Sequence, residues 1–186
     1  MINARKFISL FITSVLLAAS AGASEGKSLG AAFPGPKSEL LSPDGKLRIV
    51  NRDPDENRPL HTIVLVGQNG VAEKTLHEYG RHVAVFWSPD SQHLTITDYA
   101  ESTDASCFLY QMGSDSKIDL GKEARQSDAQ IASLLKNEHA YFECARWLTS
   151  SKISIKVKAW GRNNPNGADS FFEYTIGKGF NPAVAK

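Results

Sequence analysis

The 186 residues carry 21 lysines and arginines against 20 acidic residues, a formal net charge of +1, and 9% are aromatic. A near-neutral chain with interspersed charges lacks the basic stripe that nucleic-acid binding needs, and no polybasic cluster marks a membrane-surface ligand. Both classes are set aside, and the length suits a single domain with its own core.

Arg5 and Lys6 open the chain with positive charge, the apolar run at residues 7–19 has no charge, and Ala21-Gly22-Ala23 supplies small residues ahead of Ser24. That order is the tripartite secretory signal, and the run is short for a membrane span. Residues 1–23 are expected to be cleaved near Ala23 and Ser24. The mature chain of 163 residues then has a formal charge of −1 and belongs in the periplasm or outside the cell, without membrane insertion. No cysteine follows the run to serve as a lipoprotein attachment point.

Residues 24–38, small and rich in Gly and Pro, read as a flexible lead-in. A single β-repeat domain is expected over residues 39–180, with a tail at 181–186. Its unit is seen first in "SPDG" at 42–45, followed by "KLRIVNRD", a polar loop, the strand "HTIVLVG", an Asn69-Gly70 turn and "AEKTLHEY". The second unit runs "VAVFW", "SPDS", "HLTITDY", a polar loop, "FLYQM" and a short "IDL". The third runs "YFECARW", "LTSS", "KISIKVKAW", a polar loop and "SFFEYTIG". The turns start at Ser42, Ser88 and Leu148, a repeat of 46 and then 60 residues.

Each piece has a physical cause. Pro fixes φ at the second turn position, Asp bonds the turn backbone, and Gly accepts positive φ. In "KISIKVK", Ile153, Ile155 and Val157 alternate with lysines and a serine, the pattern of a half-buried strand. "HTIVLVG" is apolar on both faces, as a doubly covered strand would be. The extra length before the third unit holds "SDAQIASLLKNEHA", with Ile131, Leu134 and Leu135 at helical spacing. One short inserted helix is predicted there, capped by Ser127 with Gln130. Cys107 and Cys144, an even pair in an exported chain, are expected to form a disulfide.

Trp87-Ser88-Pro89-Asp90 ahead of an alternating strand resembles the W-S-P-D-G repeat of TolB-like β-propellers, shared with the propeller domains of prolyl-oligopeptidase-type peptidases. "LSPDG" at 41–45 matches the turn without the Trp, "WSPDS" has Ser91 in the Gly place, and "WLTSS" keeps only Trp147. The resemblance implies four-stranded blades and no catalytic residue. Rings of this kind use four to eight blades, so three meander repeats imply an all-β partial propeller or a pair of packed sheets.

Stacked repeats bring equivalent loops to one side. The connection between second and third strands is long in each unit, at residues 53–60, 99–106 and 161–169. A binding face is expected there, made of Asp55, Glu56, Asn57 and Arg58, then Glu101, Ser102, Thr103 and Asp104, then Arg162, Asn163, Asn164 and Asn166. No G-x-S-x-G elbow or H-E-x-x-H motif occurs, and "DPDEN" lacks the Gly and distal Glu of a calcium loop. No cofactor or metal is therefore assigned, and nothing specifies an oligomeric state.

The reading these features favour is a non-enzymatic exported binding protein, recognising another protein and acting as an inhibitor or immunity-type protein. The loop after Tyr99, anchored by Cys107, is its leading candidate. Two alternatives belong to other classes. One is a small cell-envelope hydrolase using loop carboxylates, and the other is a sugar- or peptide-binding module built on Tyr99 and Trp160.

Overall fold

The computed structural model describes residues 29–67, 70, 73–136, 139–162 and 164–181. The expected signal segment, residues 24–28 of the lead-in, Asn69 of the expected turn and tail residues 182–186 lie outside the described residues.

The repeats fold as three antiparallel meanders. Blade 1 is β2 (Glu39–Leu41), β3 (Leu47–Arg52), β4 (His61–Gly67) and β5 (Glu73–Tyr79), hydrogen-bonded in that order. Blade 2 is β6 (Val83–Trp87), β7 (His93–Asp98), β8 (Asp104–Gln111) and β9 (Lys117–Asp119); blade 3 is β10 (His139–Thr149), β11 (Lys152–Gly161), β12 (Asn164–Thr175) and β13 (Gly179–Asn181). Blades 2 and 3 touch at a corner, where β10 runs parallel to β8 and, among the described residues, pairs only Ala140 with Asp104 and Tyr141 with Ala105. The architecture is the expected partial-propeller all-β fold, with open sheets.

The two SPD turns are built alike. Ser42 Oγ donates to Asp44 and accepts the Leu47 N–H, while Asp44 also accepts the Lys46 N–H. Ser88, Asp90, His93 and Gln92 repeat that network. Each turn is thus closed by its own side chains.

Packing between blades also repeats. The Trp87 indole N–H donates to the Leu40 carbonyl of blade 1 at 3.5 Å, and that of Trp147 donates to the Phe86 carbonyl of blade 2 at 3.2 Å. Leu40 and Phe86 hold the same position, two residues ahead of the turn serine. Leu41 stands where the tryptophans stand and is 60% exposed. One core, around Ile49, Ile63, Tyr79, Val85 and Trp87, lies between blades 1 and 2. The other, around Leu109, Phe142, Ile153, Ile155 and Val157, joins blade 3 to blade 2 and to the inserted helices. The Cys107–Cys144 disulfide crosses this second interface, with Cα atoms 5.7 Å apart.

Two expectations are corrected. The insertion is two helices, α1 (Leu120–Ser127) and α2 (Ala129–Leu134), rather than one. Their caps are Asp119 and Asp128, whose carboxylates accept the Lys122 and Ile131 N–H groups at 2.9 Å. Ser127 instead turns back onto the Glu123 carbonyl. Asp128 is extended, at φ −133° and ψ 113°, and divides the helices. The lead-in, secondly, is ordered over part of its length: β1 (Gly30–Phe33) pairs antiparallel with β6, and Phe33 is fully buried. β6 is the inner strand of its blade, so its open edge satisfies this backbone. Gly30 is required there, because a Cβ would run into the Phe86 ring.

Candidate binding face

Antiparallel alternation puts the β3–β4 loop, the β5–β6 turn, the β7–β8 loop, the start of β10 and the β11–β12 turn at one end of the blades. Two of the three expected loops are present. Residues 53–60 form a loop with a tight turn in which Asp55 and Arg58 exchange backbone hydrogen bonds of 2.8 and 3.1 Å. The Arg58 guanidinium also pairs with the Asp55 carboxylate at 2.8 Å and donates to the Asp53 carbonyl. Glu56 and Asn57 remain exposed at the tip. The loop's base is fixed by Asp53, which contacts His61 at 3.1 Å, and by His61 stacked on Tyr79.

The second loop is shorter than expected, because β8 starts at Asp104 and leaves only residues 99–103. Tyr141 donates its hydroxyl to the Ser102 carbonyl at 2.5 Å, and the Ala140 N–H donates to the Thr103 carbonyl. Strand β10 therefore pins this loop from blade 3. Glu101 and Ser102 are exposed. Burial raises the Asp104 carboxyl above its ordinary range; Arg125 pulls it back, while Glu101, Asp98 and Asp119 push it further up.

The third loop is corrected. Gly161 pairs with Asn164, and β12 runs on through Asn166 opposite β11, so residues 164–169 are strand rather than loop. A bulge between Ala159 and Gly161 and the positive φ of Gly167, 69°, absorb the irregular "NNPNG" composition. Asn164 donates to the Ala159 carbonyl, Asn166 and Arg162 are exposed, and Asn163 lies outside the described residues.

Sequence reasoning singled out Tyr99 and Trp160 but missed that Tyr141, His82 and His139 join them in a run of aromatic rings at this end. His82 stacks on Tyr99 at 4.5 Å, and Tyr141 meets Tyr99 and Trp160 edge-on at 6.0 and 5.0 Å, both at 86°. His139 completes the run, 5.4 Å from Trp160. Burial, Glu143 and then Tyr141 push the Tyr99 hydroxyl well above its usual range, so it is held protonated. No local signal marks Tyr141, whose ring partners stand 42 residues before it and 19 after it.

Just beneath, blades 1 and 2 are clasped by a buried polar trio. His77 contacts the Tyr110 hydroxyl through Nδ1 at 3.0 Å and Asp98 through Nε2 at 2.8 Å. Burial and the Asp98 charge raise the Tyr110 hydroxyl, which suits a hydrogen-bond donor and opposes a nucleophile. Among the described residues, no three His, Cys, Asp or Glu side chains are grouped to hold a metal ion. A cleft of about 350 Å³ opens between blades 1 and 2 elsewhere, over Leu47, Leu65, Leu76, Met112 and the rim residue Lys74.

No protein-family model matches the chain, and no curated protein matches it in sequence. Among solved structures it is similar to the β-propeller domain of the Trilobed protease from Pyrococcus furiosus, described as an open velcro topology. The two are 16% identical, with a TM-score of 0.51 over 76% of this chain and 41% of that one. A structure from a study of two prolyl endopeptidases aligns at 16% identity and a TM-score of 0.48, over 78% of this chain and 20% of that one. The chain thus spans less than half of either neighbour, and what it shares with the first is a β-propeller fold.

Proposed function

We propose that the mature chain is an exported, non-enzymatic binding protein that recognises a protein partner through the loop face, in the manner of an inhibitor or immunity protein. The observation that carries this reading is that both long loops are tied down at their bases while their tips stay exposed. Arg58 and Asp55 fasten one; Tyr141 and Ala140 fasten the other from a different blade. Loops held this way lose little conformational entropy on binding. Export is supported by the signal pattern of residues 1–23, and a buried disulfide is at home in an oxidising compartment.

The test is an affinity capture with mature protein immobilised beside a variant in which residues 100–103 are replaced by a two-residue turn. Native envelope and culture extracts pass over both columns. One protein retained stoichiometrically by the first and lost from the second is the expected outcome. Retention of that protein by both columns removes this loop from the interface. No retention by either column rejects the protein-partner reading.

A further inference from the structure

Five asparagines lie among the described residues, Asn51, Asn57, Asn164, Asn166 and Asn181, and their surroundings differ in a way that bears on their chemistry. The backbone nitrogen of the next residue can attack an asparagine side-chain amide. The attack needs an N–H on that nitrogen, no bulky side chain shielding it, and an amide free to turn. Four of the five fail. Asn51 is held at both ends, donating to Asp53 at 2.9 Å and accepting from the Tyr79 hydroxyl at 2.6 Å. Asn57 precedes Arg58, which carries a long side chain and whose N–H is engaged with the Asp55 carbonyl at 3.1 Å. Asn164 and Asn181 precede Pro165 and Pro182, which have no N–H. Their amides also donate, to the Ala159 carbonyl and to the Thr175 hydroxyl.

Asn166 meets all three conditions. It is exposed, and among the described residues no hydrogen bond holds its side-chain amide. The next residue is Gly167, which has no Cβ and a φ of 69°. The register loosens at the same place. Between the pairs Ala159–Ala168 and Gly161–Asn164, residues 165–167 of β12 stand against the single Trp160 of β11. A bulge leaves its extra residues outside the ladder, so the backbone there can turn without breaking cross-strand pairs. We propose that Asn166 is a site of spontaneous deamidation, where water converts it in the folded protein to aspartate and isoaspartate.

The atoms balance as follows. Hydroxide removes the Gly167 N–H proton, and the nitrogen attacks Asn166 Cγ. The new C–N bond forms as the Cγ–Nδ2 bond breaks, and Nδ2 takes up a proton and leaves as ammonia. Water then opens the succinimide ring. Attack at Cγ restores the ordinary main chain as aspartate; attack at the main-chain carbonyl gives isoaspartate, in which the chain runs through Cγ. Either product adds one negative charge at the blade 3 end of the loop face, and isoaspartate also lengthens the main chain at the bulge. This chemistry does not rest on the protein-partner reading, and the capture experiment has no bearing on it.

The experiment incubates the folded protein in mildly alkaline heavy-oxygen water and follows it by peptide mapping, with fragmentation that separates isoaspartate from aspartate. The expected result is a heavy-oxygen carboxylate at Asn166, in both isomeric forms, with Asn51, Asn57, Asn164 and Asn181 unchanged. Conversion should slow as the pH is lowered, because less of the Gly167 amide is deprotonated. Asn166→Gln, whose longer side chain closes a ring less readily, should lose the heavy-oxygen signal at this position, with a thermal melt confirming its fold. The Asn69-Gly70 pair lies on another peptide and is scored apart. Asn166 left unmodified in the folded protein overturns the proposal. So does conversion that begins only when urea unfolds the chain, and so does equal conversion at Asn51, since the local structure would then select nothing.

Discussion

Ser91 shows how much one side chain can decide. It holds the fourth position of the second turn, where the first turn has Gly45, and its φ is 62°. A non-glycine residue in that region costs roughly 1–2 kcal/mol. What offsets the cost is visible across the blades: Ser91 Oγ accepts the Asp44 N–H of the other turn at 3.1 Å. The hydroxyl therefore joins the two copies of the repeat, which a glycine could not do. Ser91→Ala should lose this bond and keep the strain, destabilising by about 1 kcal/mol. Ser91→Gly loses the bond and relieves the strain, so its denaturation midpoint should lie above that of Ser91→Ala. The reverse order in urea titrations would remove the inter-turn bond from the explanation.

At the scale of elements, each blade needs its neighbour. A lone four-stranded meander buries one face poorly, and docking supplies the missing side. Between blades 1 and 2 the dock is made by Trp87, the His77 trio and β1. Between blades 2 and 3 it is made by Trp147, the two helices and the disulfide, where direct strand pairing among the described residues is confined to two residue pairs. Closing a loop across a sequence separation of 37 should contribute about 3–4 kcal/mol in the chain-entropy model. Cys107→Ala with Cys144→Ala is expected to lower stability by that order. Hydrogen exchange should rise in β10 to β13 more than in β2 to β5. Uniform loss of protection in all three blades would mean that the disulfide does not act through this interface.

Over the whole molecule, the two outer faces carry ion pairs, beside exposed Leu41 and Phe171, where the inner ones are apolar. Blade 3 presents Lys152 paired with Glu173 and Lys156 with Asp169; blade 1 presents Arg48 paired with Glu39 and Arg52 with Glu73. Stability should also respond to pH through His93, which faces Trp147 across the second interface. Burial lowers the His93 pKa, and Asp90 opposes that only in part. The folded chain then takes up this proton less readily than the unfolded chain. The sign follows: there is no cost above the unfolded value near 6.5, and stability falls as pH drops through it. Wild type should lose stability between about pH 7 and 5, and His93→Gln should flatten that stretch of the curve. An unchanged slope in the variant would assign the effect to other groups.

Much of the fold was legible because its signals are local. The SPD turns close on their own side chains, and "KISIKVK" buries Ile153, Ile155 and Val157 as its alternation dictates. The loops expected at residues 53–60 and 99–106 announce themselves by composition and length, though β8 takes up the last residues of the second. Where the reading failed, the deciding partner was distant or a close competitor stood beside the residue chosen. β1 is a strand because β6, more than fifty residues away, has an edge to pair with. Residues 164–169 became strand because β11 extends far enough to pair with them. Asp128 displaced Ser127 as the cap by a shift of one residue.

The amino-acid sequence by itself determined the repeat, its turns, the strand faces and the pairing of its two cysteines, since these rest on backbone preferences, side-chain period and a count of two. The tertiary structure alone decided which blade faces which, how the tryptophans reach the preceding carbonyls, and that Tyr99, Tyr141 and Trp160 form one array. Those contacts join residues far apart in the chain, and only the packing of apolar faces against one another brings them within reach.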